Sequence, residues 1–171
     1  MKRLMLCALL LIATPLLAQW KEGGEPVPDT KWRKSDGPFG VMLLLSDEPQ
    51  KFVDDWNKPE TPALHSTDVA KRGTPIGAFV LFVGCKEVEG HCDATVDFTV
   101  LRPDGSEYAS QKDAEMWKEE APGTNLQLSV ANLGIRIEPQ DPAGKYLVRA
   151  VAHDRNAKRN VSVEQTFTVS D

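Results

Sequence analysis

The chain has 171 residues, of which 41% are hydrophobic and 26% are charged, and its formal net charge at pH 7 is −5. This composition is typical of a soluble globular protein, and the length allows one domain with a real hydrophobic core. The acidic balance argues against a nucleic-acid partner, because phosphate binding needs lysine and arginine side chains gathered on one face.

Residues 1–18 have the pattern of a secretory signal peptide. Lys2 and Arg3 are basic, an apolar run follows, and Ala18 is a small residue just before the expected cut. The apolar run is shorter than the roughly 20 residues that cross a bilayer, and no later segment is apolar enough to do so. We therefore expect a periplasmic or secreted protein with no membrane span after cleavage. The loss of the two basic residues then changes the net charge from −5 to −7.

The segment that follows predicts three different elements in chain order. Residues 19–38 are rich in proline, glycine and charge, which predicts an extended or mobile N-terminal arm. Trp20 and Trp32 in this arm would cover a groove of the domain or contact a partner. The apolar run at 39–45 predicts a buried strand, and the spacing of apolar residues at 47–57 predicts a short amphipathic helix.

From Thr67 onward the pattern is that of strands separated by turn residues. Residues 111–124 are polar and predict a helical turn or a long loop. We expect a domain at 39–171 that is mainly β, an antiparallel β-sandwich of about seven to nine strands with one short N-terminal helix. Strands are predicted at 67–71, 76–84, 94–100, 105–110, 126–130, 133–139, 145–154 and 161–169.

Several segments resemble immunoglobulin-like sandwiches of exported bacterial proteins: TVLRPDGSEY, IRIEPQDPAGKYLVRAVAHD and VSVEQTFTV. The resemblance implies a tyrosine corner at Tyr146, whose hydroxyl would bond back to the preceding chain. Over 39–171, the order of MLLLSDEP, DDW, KRGTPI, a paired-cysteine hairpin, RPDG and DPAGKY is similar to a family of exported bacterial proteins with an immunoglobulin-like domain. That family brings no assigned activity, so it implies no catalytic residues.

The common motifs of catalysis and phosphate binding are absent from the sequence, so we expect no enzyme, no catalytic residue and no cofactor. His65, His91 and His153 each stand alone in their segments, and a metal site is therefore not expected. A copper site would need two of these histidines to meet a methionine such as Met42 or Met116.

The polar turn HDRNAKRN at 153–160 gathers Arg155, Lys158 and Arg159. Such a charge run is typical of a solvated hairpin turn, but it could also receive an anionic partner.

Cys85, His91 and Cys92 lie within eight residues, a cluster that a metal site, a reactive thiol or a disulfide could use. Removal of Cys7 with the signal peptide leaves two cysteines, and an even number in an exported chain indicates a disulfide. The two cysteines would end one strand and begin the next, close enough in a hairpin for the bond. We predict a Cys85–Cys92 disulfide, with the metal site and the reactive thiol as alternatives.

These patterns favour a non-catalytic exported module that binds another envelope or secreted protein or a ligand. Its partner would meet an edge strand or the loops at one end of the sandwich. One alternative is an envelope enzyme inhibitor or immunity-type protein, which would insert an acidic loop such as 111–121 into a basic active site. The other alternative is a copper-binding protein.

Overall fold

A computed structural model describes residues 20–22, 24–60, 62 and 64–170, so the predicted signal peptide at 1–18 lies outside the described residues. The described part contains one helix, twelve strands and connecting loops. The helix is α1 (Pro49–Trp56), and the strands are β1 (Lys21–Glu22), β2 (Glu25–Pro26), β3 (Arg33–Asp36), β4 (Phe39–Ser46), β5 (Val69–Ala70), β6 (Pro75–Val83), β7 (Ala94–Leu101), β8 (Glu107–Trp117), β9 (Gln127–Leu128), β10 (Leu133–Arg136), β11 (Gly144–Asp154) and β12 (Arg159–Val169).

Ten of these strands form the two sheets of a β-sandwich, which confirms the predicted fold class. Sheet 1 has the order β10–β6–β4–β3, and β9 pairs with the same edge of β6 as β10 does. Sheet 2 has the order β5–β12–β11–β7–β8, in which only the β12–β5 pair is parallel. With β4, β6 and β10 as strands A, B and E, and β7, β11 and β12 as strands C, F and G, this is the immunoglobulin-like order.

The core lies between the two sheets and is filled by alternate residues of each strand. Its largest fully buried side chains are aromatic rings from both sheets. Tyr146 stacks on Phe167 with 5.3 Å between ring centroids, which ties β11 to β12 inside the core. The other large rings of the core are those of Phe39, Phe82 and Phe98.

The outer face of sheet 1 is apolar as well, because α1 packs on it. Phe52 of α1 stacks on Phe79 of β6 with 4.0 Å between ring centroids, beside buried Leu44 and Leu81. Both faces of β4 are therefore buried, which explains why the sequence reads FGVMLLLS without alternation. A helix of eight residues is too short to be stable alone, so α1 depends on this contact.

The N-terminal segment differs from the predicted arm, since part of it joins the sandwich. Strand β3 (Arg33–Asp36) pairs with β4 at the edge of sheet 1. This polar strand brings the total to ten, one more than the upper end of the predicted range. The Arg33 guanidinium lies 5.9 Å from the centroid of the Trp20 ring and 5.1 Å from that of Trp32. The indole N–H of Trp20 also donates to the carbonyl of Lys34, at 3.2 Å. These contacts hold residue 20 against β3.

Strand β8 extends to Trp117, so the prediction of a helical turn or long loop at 111–124 is wrong for its first seven residues. Ala114 and Met116 are buried while Asp113 and Glu115 are exposed, which is the alternation of a strand with one face on the core. The strand lies at the edge of sheet 2 and carries bulges, and its polar outer side chains hide the period.

A cluster of tyrosines closes the sandwich at the end where β11 begins. The hydroxyl of Tyr146 donates to the carbonyl of Pro142 at 2.9 Å, four residues upstream. The Tyr108 hydroxyl lies 2.6 Å from the carbonyl oxygen of Arg136 and 2.8 Å from Asp141 Oδ2. Burial, together with the Asp141 carboxylate, raises the pKa of Tyr108 to about 12.

Among the described residues no helix has both the length and the apolar character to cross a membrane.

Candidate functional site

Four connections meet at the opposite end of the sandwich, which we call the cysteine end. They are the turn 37–38 before β4, the hairpin loop 84–93 between β6 and β7, the loop 118–126 after β8, and the turn 155–158 between β11 and β12. Loops at the ends of a sandwich are free to carry binding residues because the strands hold their positions. The cysteine end is therefore the natural place to look for a site.

The hairpin loop 84–93 is closed by a Cys85–Cys92 disulfide, as the sequence predicts. The two Cα atoms lie 6.0 Å apart, within the usual range for the bond. The bond uses both sulfur atoms, so neither is left as a metal ligand or a reactive thiol, and both cysteines are buried in the core. His91 pairs through its backbone with Val88, at 2.9 and 3.1 Å, and its side chain is exposed.

Backbone hydrogen bonds join the hairpin loop to the loop 118–126. The N–H of Gly84 donates to the carbonyl of Gly123 at 2.9 Å, and the N–H of Cys92 donates to the carbonyl of Glu119 at 3.1 Å. The N–H of Ala121 donates to Gly90 at 3.2 Å. Neither loop can move away from the other without breaking these bonds.

The carboxylate of Asp154 joins the hairpin loop to the turn 155–158. This residue is only 1% exposed, and its two oxygens accept from the N–H of Lys86 at 2.8 Å and from the N–H of Ala157 at 3.0 Å. The side-chain amide of Asn156 adds bonds to the carbonyls of Lys86, at 3.0 Å, and His91, at 3.2 Å. A buried carboxylate that accepts backbone N–H groups fixes the geometry of a loop.

An open cleft of about 580 Å³ lies between these connections. Its wall is mainly apolar side chain and backbone, with the hydroxyl of Thr124 and the cationic groups of Lys86 and Arg159 as its polar side chains. The other lining residues are Pro38, Gly84, Cys85, Gly123 and Ala157.

Two glycines give the cleft its shape. Gly84 has φ +68°, and a Cβ atom there would lie 1.9 Å from the carbonyl oxygen of Pro38, so only glycine lets these two segments meet. A Cβ atom at Gly37 would lie 2.7 Å from Nη1 of Arg159. The guanidinium of Arg159 is thus packed directly against the turn 37–38.

A second recess of about 580 Å³ lies on the outer face of sheet 2, and its charges are largely paired with one another. Asp97 Oδ2 is 3.3 Å from Lys112 Nζ and 3.7 Å from His153 Nε2, and Arg155 forms an ion pair with Asp113. Burial opposes ionisation of Asp97, but the N–H of Asp113 and the Lys112 ammonium bring its pKa below the usual value. The Arg155 guanidinium likewise lowers the pKa of Asp113. These ion pairs involve most of the charged side chains that line the recess, and Lys158 is a lining cation with no ion pair to another described residue.

The three histidines occupy different parts of the molecule. His65 lies beside α1, His91 in the hairpin loop, and His153 on the outer face of sheet 2. Met116 is fully buried in the core, and Met42 packs in the apolar layer under α1. In the part of the chain that the structure describes, no three His, Cys, Asp or Glu side chains gather as metal ligands.

Sequence reasoning singles out Arg159 as part of a charged turn, but it misses the cleft. The lining residues come from four segments between positions 38 and 159, and nothing local in the sequence brings them together. The only sign in the sequence that residue 84 has a positive φ is that it is a glycine.

No family model matches the chain, and no curated protein sequence matches it either. A structure of a family 123 glycoside hydrolase from Clostridium perfringens is 9% identical with a TM-score of 0.46 over 77% of this chain, and the chain spans only 27% of that protein. The CARDB domain of a Pyrococcus furiosus protein, solved with di-metal ions, is 10% identical with a TM-score of 0.40 over 84% of this chain and 99% of that domain. A Niemann-Pick type C2 protein from the Japanese carpenter ant is 12% identical with a TM-score of 0.42 over 75% of this chain and 89% of that one. At such values the likeness carries no argument about function.

Proposed function

We propose that the protein is a non-catalytic exported binding module that holds its ligand in the cleft at the cysteine end. The observation that carries this proposal is that four segments distant in sequence are locked around one open cleft of about 580 Å³. Ligand sites are usually preformed clefts of about 300–1,000 Å³ with mainly apolar walls and a few placed polar groups. The cleft has these properties.

Export of the chain is supported by two independent features. The pattern at residues 1–18 is that of a secretory signal peptide. The Cys85–Cys92 disulfide is typical of proteins from oxidising compartments such as the periplasm or the extracellular space. The proposal therefore places the module in the periplasm or outside the cell, where its partner would be an envelope or secreted component.

A binding role fits the cleft better than catalysis does. General acid–base chemistry most often uses His, Asp or Glu within hydrogen-bond reach of the reacting atoms. The described lining residues include none of these, and their titratable groups are one lysine and one arginine. Among these lining residues no His, Asp or Glu accompanies the two cations, so they are better suited to hold an anionic group than to activate a nucleophile.

The two alternative functions lack a specific supporting observation. The inhibitor hypothesis relies on a protruding acidic loop at 111–121, but residues 111–117 belong to β8. The copper hypothesis needs histidines that meet a methionine, and Met116 is enclosed in the core. The binding module is therefore the function that the cleft supports best.

The test is to fill the cleft and to follow ligand capture. In Ala157→Trp a large ring would occupy the cleft, whereas Gln140→Trp places the same ring on an exposed loop at the other end of the sandwich. Isotope-labelled protein is mixed with fractionated envelope extract, and the amide resonances are recorded. We expect Gly84, Lys86 and Thr124 to shift in the wild type and in Gln140→Trp but not in Ala157→Trp. Shifts confined to another surface, or unchanged in Ala157→Trp, would refute the proposal.

A further inference from the structure

We infer that the cleft at the cysteine end takes an apolar carboxylate, that is, a carboxylate group carried on a compact apolar body. This inference rests on the proposed function and adds the chemical class of the ligand. It depends on the charges that line the cleft, the placement of Arg159 and the nature of the walls.

The side chains that line the cleft carry positive charge. Lys86 and Arg159 are among the lining residues, no acidic residue is, and neither cation forms an ion pair with another described residue. The buried Asp154 lies behind them, since its carboxylate accepts the N–H of Lys86 and its Cα faces that of Arg159 in the pairing of β11 with β12. Cations of the adjoining face behave differently, since Lys112 and Arg155 each pair with an aspartate. Two unpaired cations that face one cleft create a local field that attracts an anion.

The placement of Arg159 favours a carboxylate. Its side chain is half-buried, and its guanidinium is packed against Gly37, where a Cβ atom would come within 2.7 Å of Nη1. The guanidinium therefore lies beside the turn 37–38, next to the cleft that Arg159 lines. The planar fork of an arginine matches the two oxygens of a carboxylate and forms paired hydrogen bonds with it.

The walls indicate that the anionic group is attached to an apolar body. Pro38, the Cys85 half of the disulfide and Ala157 present apolar atoms, and Thr124 adds a hydroxyl. A free inorganic phosphate would use only the cations and leave these walls in contact with water. An apolar body on a carboxylate would cover them and gain the free energy of their burial.

The experiment compares a carboxylate on an apolar body with its neutral amide and with a small anion that has no apolar body. The purified protein is titrated with 4-phenylbutyrate, with its neutral analogue 4-phenylbutanamide, and with inorganic phosphate, and the amide resonances of the cleft are followed. Hydrogen bonds to a charged group are stronger than neutral ones, so we expect the carboxylate to bind at least about tenfold more tightly than the amide. Phosphate should produce weaker shifts that disappear with added salt.

Matched variants assign the effect to the cleft. Arg159→Gln should weaken binding of 4-phenylbutyrate about tenfold, and Lys86→Gln should weaken it less because lysine lies at the exposed rim. Arg149→Gln is the control, since it removes the same charge from a site where arginine pairs with Glu164 on the outer face of sheet 2. It should leave the affinity unchanged. A thermal unfolding curve for each variant shows that the fold is retained.

Peptides separate the two sources of such a ligand. A short peptide that ends in phenylalanine is compared with the same peptide carrying an amidated C terminus. If 4-phenylbutyrate binds and neither peptide does, the ligand is a small carboxylate. If the non-amidated peptide binds and the amidated one does not, the carboxylate can come from a chain terminus. Equal binding of 4-phenylbutyrate and its amide, or an unchanged affinity in Arg159→Gln, overturns the carboxylate inference while the binding module stands. No shift in the cleft with any carboxylate at millimolar concentration overturns it as well.

Discussion

Reduction of the Cys85–Cys92 disulfide should lower the free energy of unfolding by about 2.5 kcal/mol. The bond joins cysteines separated by seven positions in the sequence. In the chain-entropy model a loop of about eight residues limits the unfolded chain by this amount at 25 °C. Both cysteines are buried in the core, so reduction with a phosphine removes the cross-link while it keeps the sulfur atoms and their packing. The loss therefore measures the constraint itself.

The assay is urea unfolding of the same protein with and without the reductant, followed by circular dichroism at equilibrium. The midpoint should fall in the reduced protein while the folded baseline stays that of a β-sandwich. A Cys85→Ala/Cys92→Ala variant should lose more than the reduced protein does, because it also leaves a cavity. An unchanged midpoint after complete reduction would refute the reasoning, and so would two free thiols in protein that has never met a reductant.

Three further changes test other parts of the molecule. Tyr146→Phe keeps the stacked ring but removes the bond to Pro142, and urea unfolding should show a loss of about 1 kcal/mol. The Tyr108 pKa of about 12 lies above the ordinary value of 10.0, so the protein should lose stability as the pH rises from about 10 to about 12. Tyr108→Phe should show a smaller loss across that range, with the remainder due to groups such as Tyr146, whose pKa is also raised by burial. Phe52→Ala should cost about 3–5 kcal/mol by urea unfolding because it empties the stack on Phe79, whereas half-buried Val53→Ala should cost about 1 kcal/mol.

The fold class follows from local sequence where a strand has a face on the core. The alternation of β12 predicts its buried residues Val161, Val163, Phe167 and Val169, and all four are at most 3% exposed. The uninterrupted apolar run of β4 predicts a buried strand, and α1 covers the face of that strand that points away from the core. In both elements the pattern of apolar and polar neighbours along the chain indicates which side chains are buried.

One edge strand and part of another were not predicted from the sequence, and the reason is physical. β3 and the second half of β8 lie at the edges of their sheets, where polar side chains on both sides cost little. Only Ala114 and Met116 in β8 keep the period of two, and bulges interrupt it. The cleft could not be predicted from local sequence, because it forms only when four segments that are distant in the chain lie side by side. The disulfide is the part of that end which two cysteines and their compartment were enough to predict.

The bonds that hold the cysteine end in place also have a consequence for the rate at which the proposed ligand would bind. A disulfide, Asp154 and the backbone bonds between the two loops leave few conformations to choose from before a ligand arrives. Binding to a preorganised site pays little ordering entropy and needs no slow rearrangement, so association of the proposed ligand should show a single kinetic phase. Differences in affinity among related ligands should then reside in their dissociation rates.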